Sequence, residues 1–192
     1  MEEHGAAVLL TSSRSPSPKL REFLNELALS LPGVEKITRG KLSHDALLEE
    51  AAARGARYVV VVYARRGIPS SIRAIDVARR RWVPYVLLIS GVEMREDLPA
   101  FVLRRPKAET AAVVDHTASE IPDVLMSIFK YPVYYSVDLG KLRGRYDTLI
   151  AVRGKPGAYS LELVDGGDLG PRGPIIRLKG VAIIRPTRIG HV

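Results

Sequence analysis

The chain has 192 residues, with 29 Lys and Arg against 21 Asp and Glu, a formal net charge of +8 and an isoelectric point near 9.9. That length can bury a substantial core as one domain or two small lobes, and the charge points to polyanions, nucleic acid before an acidic membrane surface. With no Cys, disulfide frameworks and thiolate metal sites are excluded. No apolar run reaches the roughly 18 residues of a membrane span, and Met1-Glu2-Glu3-His4-Gly5 is acidic where a signal peptide is basic. A cytoplasmic location without a membrane partner is therefore expected. Asn occurs once, at Asn25, and Gln is absent, a bias that fits a heat-adapted source and also GC-rich coding.

Ala6 to Leu10 reads as a short buried strand, followed by the loop Thr11-Ser12-Ser13-Arg14-Ser15-Pro16-Ser17-Pro18. Ser17 then Pro18 supplies an N-cap and a Pro at N1. Leu20, Phe23, Leu24, Leu27, Ala28 and Leu31 follow at helical spacing, and Pro32-Gly33 stops the helix. After a strand-like turn, Ser43 can cap a second helix, with Leu42 and Leu47 placed as a hydrophobic staple and Gly55 ending it. Tyr58 to Tyr63 is a β-branched run suited to a central strand. Ile72 to Val77 alternates, and Trp82 to Ile89 makes another strand, whose Pro84 marks an edge or a bulge.

Residues from about Glu93 to Thr110 carry Pro99, Pro106 and mixed charge and separate two halves, about 6–92 and 108–186, of what is expected to be one domain over 1–192. Phe101-Val102-Leu103 can add a strand. The second half continues with a strand at Ala111 to Val114, a helix from about Glu120 to Lys130, and strands at Thr148 to Val152, Ser160 to Val164 and Ile175 to Ile184. It has no counterpart of the helix at Ser43 to Arg54; Arg143-Gly144-Arg145 makes a tight connection there instead.

The halves echo one another. Arg39-Gly40-Lys41-Leu42 answers Leu139-Gly140-Lys141-Leu142, Arg57-Tyr58 answers Arg145-Tyr146, Ile72 to Asp76 answers Leu161 to Asp165, and Ala6 to Ser12 answers Ala111 to Thr117. A repeat this long exceeds a solenoid unit and suggests one α/β layout used twice, as two lobes, with basic residues recurring.

Ser12, Ser13 and Arg14 sit where a strand hands over to a helix, the place where α/β folds meet phosphate. The loop is no nucleotide-binding P-loop, because it lacks Gly there and Pro16 and Pro18 remove two N–H donors. Arg39 and Lys41 flank Gly40 just before the second helix and can join the same cleft if the strands are adjacent. Arg79-Arg80-Arg81 precede the only Trp, Trp82, whose ring suits core packing; their contact with RNA stays open. Gly170-Pro171-Arg172-Gly173-Pro174 is a rigid turn expected to hold Arg172 outward. The four His lie apart, and Asp115 and His116 point to opposite faces of a strand, so catalysis finds no support.

Taken in order, Thr11-Ser12-Ser13-Arg14, Arg39-Gly40-Lys41, Ile68-Pro69-Ser70-Ser71-Ile72-Arg73 and Gly170-Pro171-Arg172 resemble the motifs of the Brix-domain family of ribosome-biogenesis proteins. The likeness is strongest to short archaeal members related to the small-subunit processome component, and it spans nearly the whole chain. It implies an α/β fold of two related halves similar to the anticodon-binding domain of class IIa aminoacyl-tRNA synthetases. It also implies a non-enzymatic factor, without cofactor or small-molecule substrate, that binds precursor ribosomal RNA, assists its processing and meets other ribosome-assembly proteins. The RNA contacts it implies are Arg14, Arg39, Lys41 and Arg172, with Ser12 and Ser13 beside the first. The chain departs from the family pattern at Thr38, where an Asn is common, at Gly173, where an aromatic is common, and in lacking long charged extensions. The alternatives are a free-standing tRNA-binding module and an enzyme of phosphorylated metabolites using Ser12, Ser13 and Arg14.

Overall fold

The computed structural model describes residues 7–100 and 105–190. The first half runs β1 (Val8–Ser12), α1 (Pro18–Ser30), β2 (Val34–Lys36), α2 (His44–Ala53), β3 (Tyr58–Arg65), β4 (Ile68–Asp76) and β5 (Arg81–Glu93). The second runs β6 (Ala111–Asp115), α3 (Ile121–Phe129), β7 (Val133–Tyr135), a 3-10 turn at Leu139–Leu142, β8 (Thr148–Lys155), β9 (Ala158–Asp165) and β10 (Pro171–Ile183). The strand expected at Phe101 to Leu103, and Ala6, lie outside the described residues.

Local chemistry explains the helices. Ser17 Oγ accepts from Leu20 N at 3.1 Å, Pro18 opens α1, and Leu20, Phe23, Leu24 and Leu27 are buried along one stripe. Each such side chain contributes about 1.5–3 kcal/mol on leaving water. Ser43 caps α2 through Ala46 N at 3.1 Å. The expected staple there is loose, since Leu47 is buried but Leu42 is exposed. In α3, a left-handed Lys130 ends the helix.

Instead of two separate lobes, the strands form one ten-stranded sheet in the order β2-β1-β3-β4-β5-β10-β9-β8-β6-β7. Read outward from the antiparallel β5–β10 seam, the order on one side is β5, β4, β3, β1, β2 and on the other β10, β9, β8, β6, β7. β1 pairs in parallel with β2 and β3, and β6 pairs in parallel with β7 and β8. Pro84 lies in the interior strand β5 at a register shift against β4, so the bulge rather than the edge accommodates it.

One core runs across the seam. Val60, Val62, Leu87 and Ile89 of the first half join Val113, Val152, Leu161 and Leu178 of the second, with α1 and α3 packed on the same side. Tyr131 Oη donates to Pro32 O at 2.7 Å across 99 residues of sequence, and burial pushes its phenol pKa up. The opposite face carries two smaller clusters. In the first half, Leu48 and Ala51 of α2 cover Leu9, Val59, Val61, Ile75 and Trp82. In the second, Leu142 of the 3-10 turn covers Ala112, Val114 and Leu149.

Candidate nucleic-acid interface

The loops after β1 and β2 leave the same end of the sheet. Ser12 is buried within β1 and pairs with Val62, while Ser13 N donates to Val62 O at 2.9 Å, so neither offers a free cradle. Arg14 then projects into solvent. On the neighbouring strand, Ile37 N donates to Leu10 O at 2.9 Å and Thr11 Oγ1 to Ile37 O at 3.0 Å, which brings the Thr38 to Lys41 loop alongside.

Within that loop Gly40 takes a left-handed φ of +52° and Lys41 is exposed. Arg39 turns inward. It is only 7% exposed, and its Nε donates to Leu42 O at 3.2 Å while Nη2 lies 3.3 Å from His44 Nε2. The His44 ring meets the Trp82 ring edge-on, with centroids 5.1 Å apart. Arg73 of β4 lies over the same Trp ring, its guanidinium carbon 4.1 Å from the centroid and its buried Nε without a partner. Trp82 is thus a core ring, as expected, that carries a cation on one face.

Three guanidinium groups, Arg14, Arg39 and Arg73, act on His44. Burial first, and then those charges, hold its pKa below the usual 6.5, with Asp45 opposing. Asp45 is engaged elsewhere, by Arg80 at 2.8 Å, and Arg80 also takes Glu49 at 2.9 Å. Arg79 pairs with Asp76 at 2.9 Å. Among the described residues, no carboxylate lies within ion-pair distance of Arg14, Arg39 or Arg73. Buried charge is normally matched by an opposite charge, so the cluster is short of an anion.

Arg172 stands apart from this cluster and is not held outward. Its side chain is 5% exposed, paired through Nη1 with Asp165, and Nη2 donates to Pro106 O at 2.8 Å. Arg105 ties the same Asp165 at 2.9 Å and Asp168 at 2.9 Å. Arg172 therefore clasps the segment joining the halves to the β9–β10 turn. Next to it, a Cβ on Gly173 would meet Ser30 Oγ at 2.7 Å and Leu163 Cδ2 at 3.0 Å, so α1 packs where a side chain would otherwise stand.

The sequence reading missed Arg73 and His44. Arg73 was visible as part of the Ile68 to Arg73 motif, but its place over Trp82 follows only from the β4–β5 register. Among the described residues, no group of three His, Cys, Asp or Glu could hold a metal ion, and no helix is long and apolar enough to cross a membrane.

No protein-family model matches the chain. A probable Brix domain-containing ribosomal biogenesis protein from Pyrobaculum aerophilum is 47% identical over 179 residues, 93% of this chain and 97% of that protein. The U3 small nucleolar ribonucleoprotein protein IMP4 of Homo sapiens is 28% identical over 128 residues, 65% of this chain but 43% of the human protein. Among solved structures, a probable ribosomal biogenesis protein from Aeropyrum pernix K1 superposes with a TM-score of 0.72 at 27% identity, covering 91% of this chain and 96% of that one. An archaeal Imp4-like protein, Mil, gives a TM-score of 0.60 at 25% identity over 91% of this chain and 99% of its own. The Pyrobaculum and Aeropyrum proteins are named for ribosomal biogenesis, and none of the four is named as an enzyme. With nearly half its residues shared along almost the full length of the Pyrobaculum protein, the chain belongs to the Brix-domain family of ribosomal biogenesis proteins.

Proposed function

We propose that this chain is a non-enzymatic, cytoplasmic RNA-binding factor that grips precursor ribosomal RNA and assists its processing and subunit assembly alongside other assembly proteins. The observation that carries the reading is the convergence of Arg14, Arg39 and Arg73, one of them buried, without a carboxylate partner among the described residues. A phosphodiester chain supplies the missing charge. Exposed Lys41 adds a further contact beside them, and Ser12 and Ser13 set the strand end from which Arg14 projects. Arg172 acts as a clasp within the fold, away from this surface. The mirrored strand order supports an internal duplication, with halves of about 6–92 and 108–186 in one domain; a kinship with class IIa anticodon-binding domains is what the family resemblance implies.

Crosslinking followed by sequencing of the bound RNA tests the reading, and precursor ribosomal RNA is the expected species. Binding should weaken with salt, log K falling by roughly 0.7–0.9 per phosphate contact for each unit of log salt. Arg14→Ala with Lys41→Ala should lower that slope by about one unit per lost contact with little change in melting temperature, because exposed charges contribute little to folding. Arg66→Ala, on the β3–β4 turn, should do less. Equal competition by tRNA would favour a tRNA-binding module, and salt-independent affinity would remove the cationic surface from the account.

A further inference from the structure

We propose that His44 is the positioning residue of this anion site and couples RNA binding to a proton: neutral in the free protein, its ring holds Arg39, and on phosphate binding it takes up a proton and becomes a further cation facing the phosphate. The inference rests on the RNA-binding reading above and adds its regulation.

The hydrogen-bond chemistry fixes the starting state. A guanidinium only donates, so the 3.3 Å contact from Arg39 Nη2 requires a lone pair on His44 Nε2, which places the single ring proton on Nδ1. The ring is held in that orientation by the edge-on contact with Trp82, whose ring also carries the Arg73 guanidinium. Arg39 has Leu42 O as its remaining acceptor, so His44 decides where the second arm of the guanidinium points.

The charges facing the ring come from every surrounding element. Arg14 lies on the loop after β1, Arg39 on the loop before α2, Arg73 on β4, and Asp45 follows on α2 itself. His44 is also the first residue of α2, at the positive end of its dipole. Asp45 is drawn off by Arg80, which leaves three cations and a helix end against a ring that is half-buried. All of these disfavour a proton on His44 until an anion arrives. A phosphodiester bound among the guanidinium groups cancels that repulsion and competes for Arg39 Nη2. Nε2, released from Arg39, can then carry a proton and donate towards the phosphate. By linkage, whatever raises proton affinity on binding also makes binding tighter at lower pH.

The test measures binding of a rhodamine-labelled oligouridylate to the full chain at constant ionic strength across about pH 5 to 8, the window in which histidine changes charge. For the wild type, log K should fall with rising pH by up to about one per pH unit, the limit for uptake of one proton. His44→Gln, which keeps an acceptor for Arg39 but cannot titrate, should bind with a flatter profile. In the wild type, the pH midpoint of the His44 ring resonances should move upward when the oligouridylate is added. That measurement needs no variant and stands if His44→Gln fails to fold. Equal pH slopes in the two proteins, or an unmoved His44 midpoint while RNA binds, overturns the proposal and leaves the RNA-binding reading intact. A wild type that binds no RNA at any pH overturns both.

Discussion

At the end of β1 the chain reads Ser12-Ser13-Arg14, and at the corresponding end of β6 it reads Asp115-His116-Thr117. The backbones match: Ser13 N donates to Val62 O of β3 and His116 N to Val152 O of β8, both at 2.9 Å. The side chains do not. Asp115 is buried and accepts from Thr117 N at 2.9 Å, Thr117 Oγ1 at 2.6 Å and Ala118 N at 3.1 Å, closing its loop on itself. Ser12, at the equivalent strand position, carries no charge, and the loop beyond it ends in an exposed Arg14. The pattern recurs two strands further in. Arg73 pairs with Val61, whereas Glu162 pairs with Ala151 in the matching register, and Glu162 meets Arg153 at 3.4 Å. At these matched positions, among the described residues, the first half leaves its cations without a carboxylate partner and the second satisfies its charges internally. A shared strand order thus carries unequal charge at matched positions of the two halves.

The largest effect should come from cutting the internal compensation of the second half. Arg172→Ala leaves Asp165 buried with Arg105 as its remaining cation and is expected to lower unfolding free energy by about 3 kcal/mol, read by urea denaturation. RNA affinity of the folded protein should be unchanged. Lost affinity with intact stability would instead give the second half an RNA contact and break the asymmetry. Adding an acid to the cationic loop sharpens the comparison: Thr38→Asp places a carboxylate at the exposed position next to Arg39 and should weaken RNA binding about tenfold, roughly 1.4 kcal/mol, in filter binding at fixed salt. An unchanged affinity would show that the cluster is not the contact surface.

A third change tests how far the halves depend on each other. Tyr131→Phe removes the bond from the end of α3 to Pro32 O and should cost about 1 kcal/mol of stability, without altering RNA binding. The smallest effect expected is pH-linked. The folded pKa of His44 lies below 6.5, so the unfolded chain binds the proton first as pH falls. Stability from this group is therefore full above 6.5 and is lost as pH drops towards the folded value. Melting temperatures taken at falling pH should decline less in His44→Gln than in the wild type, and identical declines would show that the ring is not held neutral by its cations.

What could be read from sequence was what local chemistry decides. Ser17, Pro18, the apolar stripe from Leu20 to Leu27 and Pro32-Gly33 mark α1 within one stretch of chain, and the structure places the helix there. Ile72 to Asp76 was matched with Leu161 to Asp165, and the pairings with β3 and β8 align those strands in the same way. Elsewhere matching by residue identity slipped by two positions: Tyr58 was set against Tyr146 and Ala6 against Ala111. The sheet instead places Tyr58 where Thr148 lies and Val8 where Ala111 lies. β7 has three residues and too little pattern to stand out. Arg172 misled because its partners, Asp165 and Pro106, come from other parts of the chain, and a turn rich in Pro and Gly says nothing about which way its Arg faces. Arg39 reads as a cleft cation for the same reason; its burial depends on α2 arriving beside it.

The position of β10 has a consequence for how the chain acquires its shape. It is the last strand in sequence, yet it fills the middle of the sheet between β5 and β9. Until Pro171–Ile183 has been synthesised, β5 and β9 each expose an open hydrogen-bonding edge, and the common core has no strand to join its two sides. Pairing β10 with β5 brings Ile175 to Glu93, a contact spanning much of the chain, so the closing step carries a large loop-entropy cost and completes slowly. A nascent chain halted before residue 171 should therefore be the form most prone to self-association through its exposed strands, whereas the finished sheet ends in two short strands that offer little to a neighbour.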